Sequence, residues 1–228
     1  MLLAVDKPRW ISSFDIIRAL RRDLWEKKIW HSGTLDPMAT GLLLLWTGLD
    51  TKKIWQFIWL EKSYETTIDF SKKSDTRDMF YRDYFEEIDT KWMDISIEDI
   101  KAKLNFIVPE TELPLPTFSA KRKGWKQLYK LARAGKEITE NKLMKTYEYE
   151  ILDYQFPTIQ LKLHVWSWTY IRSIWHRLWE QFWLWWILTE LRRISIWEYS
   201  LEKIKLDKSA TFYKKDWNNI DFSFWIIE

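Results

Sequence analysis

Five glycines serve a chain of 228 residues, beside eighteen tryptophans. Glycine takes positive φ without a steric penalty, so tight turns and helix ends draw on it first. A typical fraction of about 7% would supply roughly sixteen. Tryptophans stand at several places that favour glycine: Trp10 after Asp-Lys-Pro-Arg, Trp30 in Ile-Trp-His-Ser-Gly, Trp46 before Thr47-Gly48, and the pair Trp185-Trp186. Either the chain folds around bulky side chains at its turns, or these positions are not tryptophan in the cell.

The remaining bulk properties are ordinary. The length fits one large domain, or one domain with an appendage, and is enough to bury a substantial core. No apolar run approaches the roughly 18 residues of a membrane span, so no membrane partner is expected. The opening MLLAVDKPRW lacks the charged-then-apolar pattern of a secretion signal. There is no cysteine, which excludes disulfides and thiolate chemistry and fits a reducing, cytoplasmic setting. The three histidines, His31, His164 and His176, form no pair at metal-ligand spacing, so no metal is expected. The net charge of +3 is too small to argue for a nucleic acid by itself. Clustering has to carry that argument.

Along the chain, LLAV reads as a short strand. Ser12 or Ser13 then caps a helix in FDIIRALRRDL, with Asp15 early and basic residues late. LLLLW reads as a short buried strand, DTKKIWQFI as a helix and SYETTIDF as a strand. KKSDTRDMFYRDYFEE is polar and reads as a surface loop. SIEDIKAKLNFI reads as a helix opened by a Ser96/Asp99 capping box. The Pro-bounded segment around residues 114–140 is basic: Lys121, Arg122, Lys123, Lys126, Lys130, Arg133 and Lys136 fall within it. A helix is expected there near residues 126–134. Such a segment is either a solvated lobe or a surface that grips a phosphate backbone. LMKTYEYEIL and TIQLKLHVW alternate as strands about a turn at Pro157. YIRSIWHRLWEQF is helical, ELRRISIWEYSLEKI strand-like, and residues 207–228 read as a short tail. Strands and helices intersperse without a regular βαβ rhythm, so the expected class is α+β.

One loop carries chemistry-bearing residues. In HSGTLDPMATG, Asp36 lies between Gly33 and Gly41 and precedes a proline. Asp before Pro often only initiates a turn. A carboxylate presented on such a loop can also act as a nucleophile at an acetal-like carbon, or as an acid or base. Arg172, in WTYIRS, is a candidate partner or a structural ion-pairing residue. Tyr64 and Tyr170 read by default as amphipathic residues at the edge of the core.

Four segments resemble the TruB family of tRNA pseudouridine synthases, whose members modify uridine 55 in the T arm. LLAVDKPRWISSFDII resembles the family's opening Lys-Pro-x-Gly-x-Ser-Ser segment. HSGTLDPMATGLLLLWTG resembles its catalytic loop, LPLPTFSAKRKGWKQLYKLARAGKEI its inserted RNA clamp, and SWTYIRSIWHRLW with LTELRR its Gly-Thr-Tyr-Ile-Arg segment and the strand that follows. The resemblance implies a pseudouridine synthase fold: a central mixed, mostly antiparallel sheet flanked by helices and loops, with a basic inserted clamp at about 114–140. It implies a catalytic domain over residues 1–206, with the family's usual C-terminal domain absent or vestigial in 207–228.

The resemblance also implies roles. Asp36 matches the catalytic aspartate and Arg172 the arginine paired with it. Tyr64 matches the tyrosine that stacks on the flipped base and helps remove its C5 proton. Tyr170 matches a pocket tyrosine, Leu191 an apolar residue near the base, and His31 a loop histidine that holds the flipped RNA. Lys121, Arg122 and Lys123 match clamp residues. Isomerising uridine needs no redox or phosphoryl transfer, so neither cofactor nor metal is implied. The partner is tRNA, and the protein is expected to act as a monomer. A binding module that refolds the tRNA elbow without catalysis is the alternative, and a synthase for another RNA is a third reading. In the resembled family, Trp10, Trp30, Trp46, Trp168, Trp179, Trp185 and Trp197 fall where glycine is common. The expectation is a gene that reads UGA as glycine.

Overall fold

The computed structural model describes residues 1–74, 85–116, 122–123, 126–127, 140–182, 185–206, 211–217 and 220–227. It divides into two compact units, Met1–Thr66 with Glu190–Glu228, and Thr67–Thr189.

The first unit is built on β1 (Leu2–Lys7), β2 (Ile29–His31) and β3 (Thr40–Thr47). β1 pairs antiparallel with β3, and β2 pairs antiparallel with β3. β3 is an eight-residue strand whose Leu42, Leu43, Leu44 and Leu45 are all fully buried. Both faces of this sheet are covered, which is why the sequence runs apolar without alternating. On one face Leu43 and Leu45 cluster with Val5, Ile16, Leu20 and Phe224. On the other, Leu42, Leu44 and Trp46 cluster with Ile196, Leu201 and Ile204.

Helix α1 (Ser13–Asp23) covers the first face. Ser12 is its cap: the Asp15 amide donates to Ser12 Oγ, and the Ser12 amide donates back to the Asp15 carboxylate. The expected DTKKIWQFI helix is instead a 3-10 turn at Gly48–Lys53, followed by the short α2 (Trp55–Ile58). β4 (Lys62–Asp69) and β12 (Ile187–Ile196) enter this unit in part. β12 lies parallel to β3, with Arg193 opposite Gly41. β12 ends in a hairpin to β13 (Tyr199–Ser200). SLEKI, expected to continue as strand, forms the helix α5 (Leu201–Leu206). The expected C-terminal tail is a hairpin of β14 (Thr211–Trp217) and β15 (Ile220–Ile227). β15 pairs antiparallel with β1 along Leu2–Asp6, and Phe222, Phe224 and Trp225 are buried. These residues complete the core, so their apolar alternation is a strand signal.

The second unit holds two long antiparallel strands, β10 (Asn141–Gln155) and β11 (Thr158–Val165), turning at Phe156-Pro157. β7 (Glu110–Pro114) pairs with the start of β10. α3 (Ile97–Asn105) carries the expected Ser96/Asp99 capping box. α4 (Ile171–Phe182) packs against β7. The expected surface loop begins and ends as a ribbon, β5 (Lys72–Lys73) with β6 (Glu86–Glu87). Of the basic segment, Arg122–Lys123 (β8) pairs with Lys126–Gln127 (β9). The expected helix therefore does not start at Lys126. Residues 128–134, like Lys121, lie outside the described residues. Helices interspersed among mostly antiparallel strands, with β3 and β12 parallel, make the fold α+β with a mixed sheet.

Candidate active site

The loop between β2 and β3 is pinned at nearly every residue. At its start, the Ser32 amide donates to the Leu44 carbonyl (3.1 Å) and the Gly33 amide to Nδ1 of His31 (3.3 Å). Leu35 is held by Ser13 at the start of α1: its amide donates to Ser13 Oγ (2.9 Å), and that hydroxyl donates to its carbonyl (3.2 Å). The Pro37 carbonyl accepts from the Trp10 amide (2.7 Å) and from Lys7 Nζ (3.2 Å). The Ala39 amide closes a turn onto the Asp36 carbonyl (3.0 Å). Leu35, Met38 and Ala39 are buried. Asp36 is therefore a half-buried carboxylate whose chain neighbours on both sides are fixed by hydrogen bonds.

Buried cations surround this loop. Lys7 is fully buried, and its ammonium also donates to the carbonyls of Pro8 (2.9 Å) and Ile11 (2.8 Å). Burial lowers its pKa to about 7; the Asp36 carboxylate opposes that shift and Arg193 adds to it. Lys62, on β4, is buried and donates to the Ile58 and Leu60 carbonyls; burial and then Arg193 bring it to about 7. Arg193 is buried, with Nε donating to the Leu42 carbonyl (2.7 Å) and Nη2 to the Gly33 carbonyl (3.1 Å). Burial and Arg193 lower His31 to about 4, so it is neutral at pH 7. Since Nδ1 accepts from Gly33, the ring proton sits on Nε2.

Of the expected site residues, His31, Asp36, Tyr64 and Leu191 belong to the first unit, and Tyr170 and Arg172 to the second. Tyr64 is buried on β4, two residues from Lys62 on the same face, and Leu191 is buried on β12, two residues from Arg193. Tyr170 immediately precedes α4; its amide points at Met144 Sδ (3.4 Å) and its carbonyl accepts from the Ser173 amide (2.9 Å). Arg172 is buried in the first turn of α4, where Ser173 Oγ donates to the Pro114 carbonyl. Lys121 lies outside the described residues, and Arg122 and Lys123 form β8.

Sequence reasoning misses Lys7, Lys62 and Arg193. A signal exists for two of them. In a strand, residues two apart share a face, so Lys62 goes inward with Tyr64, and Arg193 with Leu191. Among the described residues no group of three or more His, Cys, Asp or Glu could hold a metal, and no helix is long and apolar enough to cross a membrane.

A carboxylate on a loop fixed by hydrogen bonds, within electrostatic reach of the buried Lys7, is equipped for proton transfer or for attack at an electrophilic carbon. Known proteins are similar to this chain in sequence and in fold. The chain is 34% identical to tRNA pseudouridine synthase B of Chloroherpeton thalassium over 207 residues, covering 88% of this chain and 85% of that protein. It is 35% identical to the protein of the same name from Chlorobaculum tepidum, covering 87% and 84%. Among solved structures, a chain from a Cbf5-Nop10-Gar1 complex matches with a TM-score of 0.68 at 19% identity, over 89% of this chain and 50% of that one, and so shares the fold. This chain spans about half the length of that solved chain. The family model described as TruB family pseudouridylate synthase, N-terminal domain, matches residues 21–171, and the chain belongs to that family.

Proposed function

We propose that the protein isomerises uridine to pseudouridine in tRNA, at position 55 of the T arm, with Asp36 as the catalytic carboxylate. The observation that carries this reading is the Asp36 loop, pinned on both sides of the carboxylate, with Lys7 on the Pro37 carbonyl, Arg193 on the Gly33 carbonyl and the Lys62 side chain beside Gly33. The names of the similar bacterial proteins support the substrate.

The reaction breaks the C1′–N1 glycosidic bond, turns the uracil, joins C1′ to C5, and moves the C5 proton off while N1 gains one. Atoms balance without a cofactor. Asp36 either attacks C1′, displacing uracil, and is itself displaced when C5 joins C1′, or takes the C2′ proton whose loss releases uracil and returns it as C5 joins C1′. Tyr64, one strand residue from the solvent-facing Glu65, supplies an aromatic face for the extruded base and a phenol near its C5 proton. In this reading Leu191 packs near the base, His31 presents its Nε2 proton to the flipped strand, and Tyr170 and Arg172 keep the roles that the resemblance gives them. Lys121, Arg122 and Lys123 contact phosphates. The protein acts as a monomer in the cytoplasm.

The test has two arms. Pseudouridine is mapped in tRNA from cells with and without the gene, and purified Asp36→Asn is assayed on uridine-containing tRNA. Loss of the modification at position 55, and a turnover reduced by a factor of about a thousand or more with tRNA affinity retained, are expected. Substantial turnover by the variant removes Asp36 from the mechanism. A tRNA that lacks no pseudouridine when the gene is deleted leaves the non-catalytic, elbow-refolding role.

A further inference from the structure

We propose that Arg193 is a positioning residue that fastens both ends of the Asp36 loop. Its one guanidinium reaches the carbonyls of Gly33 and Leu42, which bracket the residues carrying the carboxylate. Its backbone presses on Gly41: a side-chain carbon there would stand 2.2 Å from the Arg193 carbonyl oxygen. The two carbonyls are met by two separate nitrogens, Nε and Nη2, set apart by the planar fork. Lysine would bring the charge and its donors on a single nitrogen, without the fixed separation that the fork gives. A loop fixed at residues 33 and 42 holds Asp36 at one position, and displacement of a reacting group by about 1 Å costs roughly a hundredfold in rate. This inference rests on the reading of Asp36 as catalytic.

The experiment compares Arg193→Lys and Arg193→Met with the unaltered protein in three measurements: tRNA affinity, single-turnover rate on bound tRNA, and hydrogen exchange along residues 32–42. The expected result is an affinity within about threefold, a rate lower by about a hundredfold, and faster exchange confined to that peptide. A rate near that of the unaltered protein in a folded variant overturns the proposal. So does loss of cooperative melting in Arg193→Lys, which would make the residue a support of the whole fold. If the unaltered protein makes no pseudouridine, the functional reading fails, and the exchange measurement still tests the fastening.

Among the described residues, every non-glycine with positive φ is a tryptophan: Trp10 (70°), Trp25 (53°), Trp168 (71°) and Trp197 (51°). We infer that these four positions are glycine in the native protein, written as tryptophan because its gene reads UGA as glycine. Three of the four occupy sites with a known demand for glycine. Trp25 follows the Leu24 cap of α1, where helices end in a left-handed residue. Trp168 is the third residue of a turn closed by the Thr169 amide on the Trp166 carbonyl (3.2 Å), with positive φ at that residue alone, as in type II. Trp197 is the first of two residues between the paired Ile196 and Tyr199, the glycine position of a type II′ hairpin. Trp10 supplies the amide that holds Pro37 beside Asp36. Trp25, Trp168 and Trp197 are also exposed, so burial does not explain a tryptophan there. Trp30 and Trp46 are opposite one another in β2 and β3 without positive φ, and their backbones make no such demand.

Peptide mass spectrometry of the protein isolated from its own cells decides the matter: glycine at 10, 25, 168 and 197 is expected, and tryptophan at any of the four overturns the inference for that position. In the recombinant chain, Trp25→Gly and Trp197→Gly should each raise the folding equilibrium constant by about tenfold, since a left-handed bulky residue is strained by about that factor. A lowered melting temperature in both would count against it equally.

Discussion

Lys62 shows how far a single residue can depart from its usual chemistry. Its ammonium is buried among carbonyls and near Arg193, so its pKa falls to about 7 from 10.5. Between those values the unfolded chain binds a proton that the folded chain does not. Stability therefore rises with pH across that window, and falls back as pH drops toward 7. The interval, converted at about 1.4 kcal/mol per unit, is on the order of 4–5 kcal/mol. Urea denaturation of Lys62→Met at pH 7, 8, 9 and 10 should show a flatter pH dependence than the unaltered protein. Parallel curves would mean that Lys62 stays protonated through a counter-charge. At this scale the sequence is legible where a motif names the residue, as with Asp36 in its Gly-bounded loop. For Lys62 and Arg193 the signal is only the strand face each shares with Tyr64 or Leu191, and it is easily overlooked because a basic side chain in a strand is normally read as pointing to water. What makes their burial tolerable is the set of carbonyls that meet them. For Arg193 one of these is Leu42, which is distant along the chain.

Elements are legible to the extent that their signals are local. The Ser12/Asp15 and Ser96/Asp99 boxes lie within four residues, and both helices begin where those boxes place them. The alternation in residues 220–227 is equally present, as Ile-Asp-Phe-Ser-Phe. Its partner β1 is at the opposite end of the chain, so position at the C-terminus suggests a tail. The strand pair β3–β12 gives this scale its prediction. Gly41 has φ of 103°, and a methyl group there would collide with the Arg193 backbone at 2.2 and 2.8 Å. Both atoms belong to a strand that cannot move without disturbing the pairing of Arg192 with Thr40. Gly41→Ala should destabilise the protein by roughly 3 kcal/mol or more and slow catalysis in whatever fraction folds. Thermal melting checks the first, and a destabilisation under about 1 kcal/mol would show that the close approach is relaxed in solution.

At the scale of the whole molecule, a net charge of +3 gives almost no long-range attraction for RNA. Affinity has to come from local clusters, and the densest in the sequence is the basic segment holding Lys121, Arg122 and Lys123. Cations that neutralise phosphates release counterions, so each such cation removed should reduce the slope of log affinity against log salt by roughly one. Replacing all three by glutamine should therefore weaken tRNA binding at low salt and flatten its salt dependence by about three, with little change in the single-turnover rate of bound tRNA. Titrations across a range of potassium chloride concentrations measure the slope directly. A binding constant and slope equal to those of the unaltered protein would mean that these side chains only solvate the segment, and the clamp would be abandoned. A collapse of single-turnover rate at unchanged affinity would move the segment from gripping the tRNA backbone to extruding the base, because a group that acts only through phosphates changes occupancy and leaves the chemistry at Asp36 as it was.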